Sequence, residues 1–291
     1  MTSTSHLEAL RERLAEEPAS VRLDVVRELE RVGGDRPGPS VRVRLYGLLV
    51  AACRNLGATD EGLHALNLGL KLGGSSVARA ELLTQGATLH LGSGDAVAAR
   101  QAVARALELV EKELDRPSGS SYSARRRRLW LSDLKAYCVT LRSEIAMYEH
   151  DYVNGMADAL RSLTLTSERS ALRVRLAAVS CLAAVLLRFG SLNEVIRALT
   201  LVDEAEQALA RRRVRRSHLH RVVLRWARAL ALARLGSVDR AENIMVDVIE
   251  HLRQKGHVDR LKHAVDALAW IVGERGGRPA RADYLQRKYA A

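Results

Sequence analysis

Few residues in this sequence combine the right chemistry with a working spacing. His218 and His220 stand two apart, which puts them on different sides of a helix. Asp259 and His263 are one helical turn apart and could share a metal, but no third ligand is evident, so they read as a solvated helical pair. Gly73-Gly74-Ser75-Ser76 lacks the lysine of a phosphate-binding loop, and Gly92-Ser93-Gly94 lacks the third glycine and the preceding strand of a dinucleotide site. Neither a G-x-S-x-G elbow nor an H-E-x-x-H pair occurs. Cys53, Cys138 and Cys181 are far apart, odd in number and set in apolar surroundings, so they are expected to be buried thiols rather than disulfides or zinc ligands. The expectation is a protein that is not an enzyme and holds no cofactor or metal.

Charge is the more informative chemistry. The formal net charge is +12, and its distribution is uneven: residues 1–120 carry 15 Lys and Arg against 16 Asp and Glu, whereas 121–291 carry 31 against 18. Two runs stand out, Arg125-Arg126-Arg127-Arg128 and the stretch holding Arg211, Arg212, Arg213, Arg215 and Arg216. The second continues into Arg221, Arg225 and Arg228 along one helical face. Such runs read as solvated faces or as contacts to phosphates or an acidic protein. Aromatics make up only 4% of the chain and no nucleic-acid reading module is present, which disfavours base recognition.

The elements that must carry these residues are helices. With 291 residues and 47% hydrophobic content the chain can bury a sizeable core, and 5 prolines with abundant Ala, Leu and Arg favour helix over strand. No apolar run reaches the roughly 18 residues of a membrane span. The first residues lack the basic and apolar regions of a signal peptide, so an intracellular, cytoplasmic protein is expected.

Residues 1–40 read as an N-terminal helical pair, with Pro18 opening its second helix and a Gly/Pro breaker at 33–39. From Val41 a helix–turn–helix unit recurs. Its turn glycine falls at Gly57, Gly94, Gly190, Gly236 and Gly277, with His150 in the equivalent place of a degenerate copy. Gly62, Ala99, Gly155, Val195, Ala241 and Ala282 stand five later, where a bulky side chain would push the paired helices apart. Asp60, Asn193 and Asp239, three after their glycines, are expected to cap the second helix. A polar loop at 115–124 divides near-neutral hairpins at 41–114 from basic hairpins and a C-terminal capping helix at 125–291.

The copy Gly94-Asp95-Ala96-Val97-Ala98-Ala99, closing on Ala106-Leu107-Glu108-Leu109, resembles the tetratricopeptide repeat; a register through Leu91-Gly92-Ser93 also matches the other copies. The resemblance covers roughly residues 41–290 without most of the family's aromatics or repeat-ending prolines. It implies an all-α fold of antiparallel hairpins stacked into a right-handed TPR-like superhelix, an α-solenoid. It further implies a concave groove that docks a protein or peptide segment, as an adaptor or sensor part of a bacterial regulator. Arg188, Arg234 and Arg275, each two before a turn glycine, would then form a ladder that attracts acidic segments. The same positions suit the capping of helix carbonyls. Trp226 is either a groove anchor or core packing, from its spacing to Val222, Val223 and Leu230. The alternative reading is a basic nucleic-acid-associated factor working through the 121–291 surface.

Overall fold

The computed structural model describes residues 4–31, 38–117, 119, 121–167, 170–211 and 218–289. Among them the chain is all-helical, without a strand. The helices are α1 (Thr4–Arg13), α2 (Pro18–Arg31), α3 (Pro39–Asn55), α4 (Thr59–Lys71), α5 (Ser76–Gly92), α6 (Ala96–Leu114) and α7 (Tyr122–Tyr148). They continue as α8 (Tyr152–Leu165), α9 (Leu172–Phe189), α10 (Leu192–Arg211), α11 (His218–Arg234), α12 (Val238–Gln254), α13 (Val258–Trp270) and α14 (Pro279–Tyr289). A π-helical turn, Ile271–Arg275, prolongs α13. No described helix is long and apolar enough to cross a membrane. The polar loop is shorter than its composition predicts, since α6 runs to Leu114 and α7 already begins at Tyr122.

Two compact units divide the chain, Met1–Ala178 and Val179–Ala291. In the first, α3 packs on α2, α4 and α5, α5 on α4, α6 and α7, and α7 on α6 and α8. In the second, α11 packs on α10 and α12, and α13 on α12 and α14.

The turns explain why hairpins recur. At Gly57 (φ 72°) the Gly57 N–H donates to the Arg54 carbonyl at 3.1 Å and the Ala58 N–H to the Cys53 carbonyl at 2.9 Å. This left-handed stop satisfies two orphan carbonyls and reverses the chain. The same pair of bonds recurs at Gly94, Gly236 and Gly256, and at His150, whose φ is 62°. A β-carbon makes that conformation unfavourable, and the exposed His150–Tyr152 hydrogen bond of 2.9 Å offsets only part of the cost. His150→Gly is therefore expected to raise stability by about 0.5 kcal/mol, read as a small upward shift of a thermal or urea midpoint. Gly190 departs from the pattern. Its φ is not left-handed, and space is what demands glycine there, because a β-carbon would meet the Leu186 carbonyl.

Each small residue five after the turn is buried. The capping expectation needs correcting. Asp60 and Asp239 lie inside the first turns of α4 and α12, where their charge favours the helix dipole, and the residues at the cap positions, Ala58 and Ser237, make no side-chain cap bond. Asn193 is the second residue of α10. The capping position is one residue after the turn, as Asp95 and Asp151 show by accepting from the Ala98 and Asn154 N–H groups at 2.9 and 3.2 Å. Hydrogen bonds from Asn154 hold the Asp151 carboxyl below its ordinary pKa.

Candidate functional site

The ladder arginines exist as a chain of back-reaching caps. Arg234, at the end of α11, donates to the Leu187 carbonyl at 2.6 Å and the Gly190 carbonyl at 2.8 Å, closing the end of α9. Arg275 donates in turn to the Arg234 carbonyl at 3.2 Å. Each guanidinium thus satisfies the carbonyls of the preceding hairpin rather than its own, and two of the three positions are committed to structure. The exposed Arg188 lies 5.4 Å over the Phe189 ring. Arg234→Ala should cost about 2 kcal/mol, from two lost charge-assisted bonds at partly buried carbonyls, and lower the denaturant midpoint of the second unit. Trp226 packs, partly buried, against the core of α11 to α14, and its Nε1 is buried without a hydrogen-bond partner.

The basic runs are partly neutralised by local pairing. Arg125, Arg126, Arg127 and Arg128 are exposed in the first turns of α7, and Arg127 meets Glu113 at 2.6 Å, a nearly buried carboxylate that Arg116 also grips. Arg225 pairs with Asp247 at 2.6 Å, and Arg228 bridges Asp203 and Glu206. Arg221 is exposed beside Arg225, and Arg211 closes α10. Arg212, Arg213, Arg215 and Arg216 lie outside the described residues, as do the side chains of His218, His220 and Asp259. No group of three metal-ligating side chains exists among the described residues. All three cysteines are buried, and desolvation pushes Cys53 up to about 11 and Cys138 up to about 12, which leaves both as inert thiols at neutral pH.

A different cluster gathers inside the first unit. Helix α5 is enclosed by its neighbours, and its partly accessible positions include the polar stripe Glu81, Gln85 and Thr88, spaced four and three apart. Glu81 accepts from the Arg11 guanidinium of α1 at 3.0 Å and from Arg44 Nε of α3 at 3.1 Å. Arg44 also lies 5.7 Å from the centroid of the Trp130 ring on α7. On the same inner side Arg54 of α3 donates to the Thr88 hydroxyl of α5 at 2.9 Å.

Helix α9 is tied to α7. The buried Asp133 of α7 accepts from the Ala171 N–H at 2.8 Å and so fixes the start of α9. Two residues on, Arg173 is exposed to solvent, yet surrounding protein strips enough hydration to hold its pKa below the ordinary guanidinium value. The nearby Arg11 pushes in the same direction, and Tyr137, Glu81 and Glu8 oppose it. Glu8 and Arg11 of α1, Glu81 of α5 and Tyr137 of α7 thus lie within electrostatic range of Arg173. Among the described residues Arg173 makes no ion pair or hydrogen bond.

None of these clustered residues was singled out as a site from the sequence, although a signal was present. Arg44, Glu81 and Tyr137 each stand 13 residues before their turn residues Gly57, Gly94 and His150. The repeat register alone therefore aligns them on neighbouring helices. Compared with known protein families, characterised proteins and solved structures, the chain has no significant match.

Proposed function

We propose that this protein is a non-catalytic interaction module, a tetratricopeptide-like array of hairpins stacked as a right-handed α-solenoid that docks a protein segment on its inner side. The recurring left-handed stops, the small residues at the hairpin crossings and the neighbour-to-neighbour packing support the array. The binding reading rests above all on Arg173, an exposed guanidinium that makes no ion pair or hydrogen bond among the described residues and on which Tyr137, Glu81 and Glu8 act only at longer range. A carboxylate brought by a partner would relieve its lost hydration and pair with it in surroundings where charge pairs are stronger than in bulk water. Arg44, bonded to Glu81, and Trp130 next to it offer a flat cationic and aromatic wall for the rest of the segment. Resemblance to tetratricopeptide arrays gives the setting, an adaptor or sensor part of a bacterial regulator.

Affinity capture from a source lysate, with wild-type protein and Arg173→Glu and with or without nuclease, tests this reading. A stoichiometric protein retained by wild type after nuclease and lost by the variant is expected. An identical catch from both would exclude Arg173 as the docking residue. Partners that vanish with nuclease would instead support phosphate binding by the exposed basic surface of 121–291.

A further inference from the structure

A basic residue stands 15 positions before each of the six turn residues. Arg42, Arg79, Lys135, Arg175, Arg221 and Lys262 precede Gly57, Gly94, His150, Gly190, Gly236 and Gly277 in that order. Lys and Arg are 46 of 291 residues, so chance would fill about one of the six places, and the column belongs to the repeat. Helix preference does not explain it. Arg42, Arg79, Arg175 and Arg221 are each the fourth residue of their helices, where a cation works against its own helix dipole. Ion pairing does not explain it either. Lys135, deeper within α7, meets Glu111 at 2.8 Å, but the side chains of the other five make no ion pair or hydrogen bond among the described residues. They cap no carbonyls, as Arg234 and Arg275 do, and the Nε atoms of Arg42 and Arg79 are buried without a partner.

In the second unit Arg221 shares a groove with His251 and Gln254 near the end of α12, whose negative dipole end offsets part of that cost without supplying a bond. Asp247 and Glu250 line the same groove and make it a poor place for an anion. The first unit lacks that obstacle at Arg42 and Arg79, and there the column forms a row. Arg44 and Glu81, two positions later on α3 and α5, meet at 3.1 Å, so equal register places residues side by side. Two residues turn a helix by about 200°, which sets Arg42 and Arg79 on the opposite side of their helices from that pair.

We infer that Arg42 and Arg79, with Lys135 next in the row, hold an extended acidic protein segment whose carboxylates stand three residues apart. Helices α3, α5 and α7 pack in succession, and packed helices stand about 8–10 Å apart. An extended chain covers about 10 Å in three residues. Each carboxylate meets a guanidinium that has no other anion to bind, and Lys135 exchanges Glu111 for the third. Arg42 and Arg79 are half-buried, which suits a narrow chain rather than a nucleic-acid duplex. The row is separate from Arg173 and does not rest on the binding reading above.

The probe is a fluorescein-labelled decapeptide with aspartate at every third position and glycine and serine between. Its control has the same composition with the aspartates in one block. Both are titrated by anisotropy against the full-length protein. The spaced peptide is expected to bind at least about 10-fold tighter than the block, and the Arg42→Gln, Arg79→Gln double variant to lose at least about 10-fold of that affinity. Arg173→Gln should leave it unchanged. Equal affinity for the two peptides, or binding that survives in the double variant, overturns the inference. Loss of the peptide in Arg173→Gln alone also overturns it, since the probe would then report the other surface. An oligothymidylate that binds through the same two arginines more tightly than the spaced peptide overturns it in favour of a phosphate chain. If the double variant melts well below wild type, Arg42→Lys with Arg79→Lys keeps the charges and decides the point. Lysine cannot grip a carboxylate with two parallel bonds, so the spaced peptide should lose its advantage over the block, and an undiminished advantage overturns the inference.

Discussion

Replacing Leu82 by alanine is expected to lower the stability of the first unit by about 3–5 kcal/mol, the upper range for a fully buried leucine. Leu82 is fully buried, and the neighbouring helices have given up side chains to receive it. A β-carbon on Gly69 of α4 would lie 2.7 Å from Leu82 Cδ2, and one on Gly47 of α3 would come 3.9 Å from the Leu82 backbone. The relation is reciprocal, since a β-carbon on Gly86 of α5 would lie 2.7 Å from Leu66 Cδ2 of α4. Two leucines thus fill two glycine notches across one helix pair, so truncation leaves a void that the flanking backbone cannot easily close. In a unit of this size the loss corresponds to a fall of roughly 10 °C in melting temperature. Gly69→Ala alone should destabilise by about 1–3 kcal/mol through overpacking, because its β-carbon would also lie 2.8 Å from Tyr46 Cβ, and Leu82→Ala should relieve only the share of that clash made by Leu82. Additive effects of the two changes in a double-mutant cycle would show that this notch does not set the packing of α4 on α5.

Local rules were easy to read and distant ones were not, for a physical reason. A left-handed stop needs a residue that tolerates positive φ, so Gly57, Gly94, Gly236 and Gly277 mark it, and His150 could be placed by spacing alone. The close crossing five residues later leaves its imprint as Gly62, Ala99, Gly155 and Ala241. The spacing of Arg234 and Arg275 showed that each ends a helix, but could not show that each reaches a different helix, because the carbonyls they cap lie 41 to 47 residues away. The cluster around Glu81 was hidden for the same reason, since Arg11 and Glu81 are separated by 70 residues and no single motif records their meeting. The basic runs drew attention through composition, yet Arg127, Arg225 and Arg228 each face carboxylates at close range.

Arg173 should separate stability from function. Removing a residue that serves the fold, such as Arg234, loses stability. Arg173 makes no ion pair or hydrogen bond among the described residues; crowding and the charge of Arg11 act against its own charge, and Tyr137, Glu81 and Glu8 favour it. Arg173→Gln keeps much of the side-chain volume and removes the charge. It is expected to leave the melting temperature nearly unchanged, as for an exposed side chain with no direct partner. The same change should weaken the captured partner by about 30- to 150-fold, the equivalent of about 2–3 kcal/mol for losing one side of a desolvated charge pair. The loss should appear mainly as faster dissociation, as for most changes within one interface. A neighbouring control is Arg126→Gln, exposed on α7, whose effect on affinity should be small and should disappear at high salt. If Arg173→Gln instead destabilises the unit by more than about 1 kcal/mol while the partner's dissociation constant holds, the residue belongs to the fold and the binding site lies elsewhere.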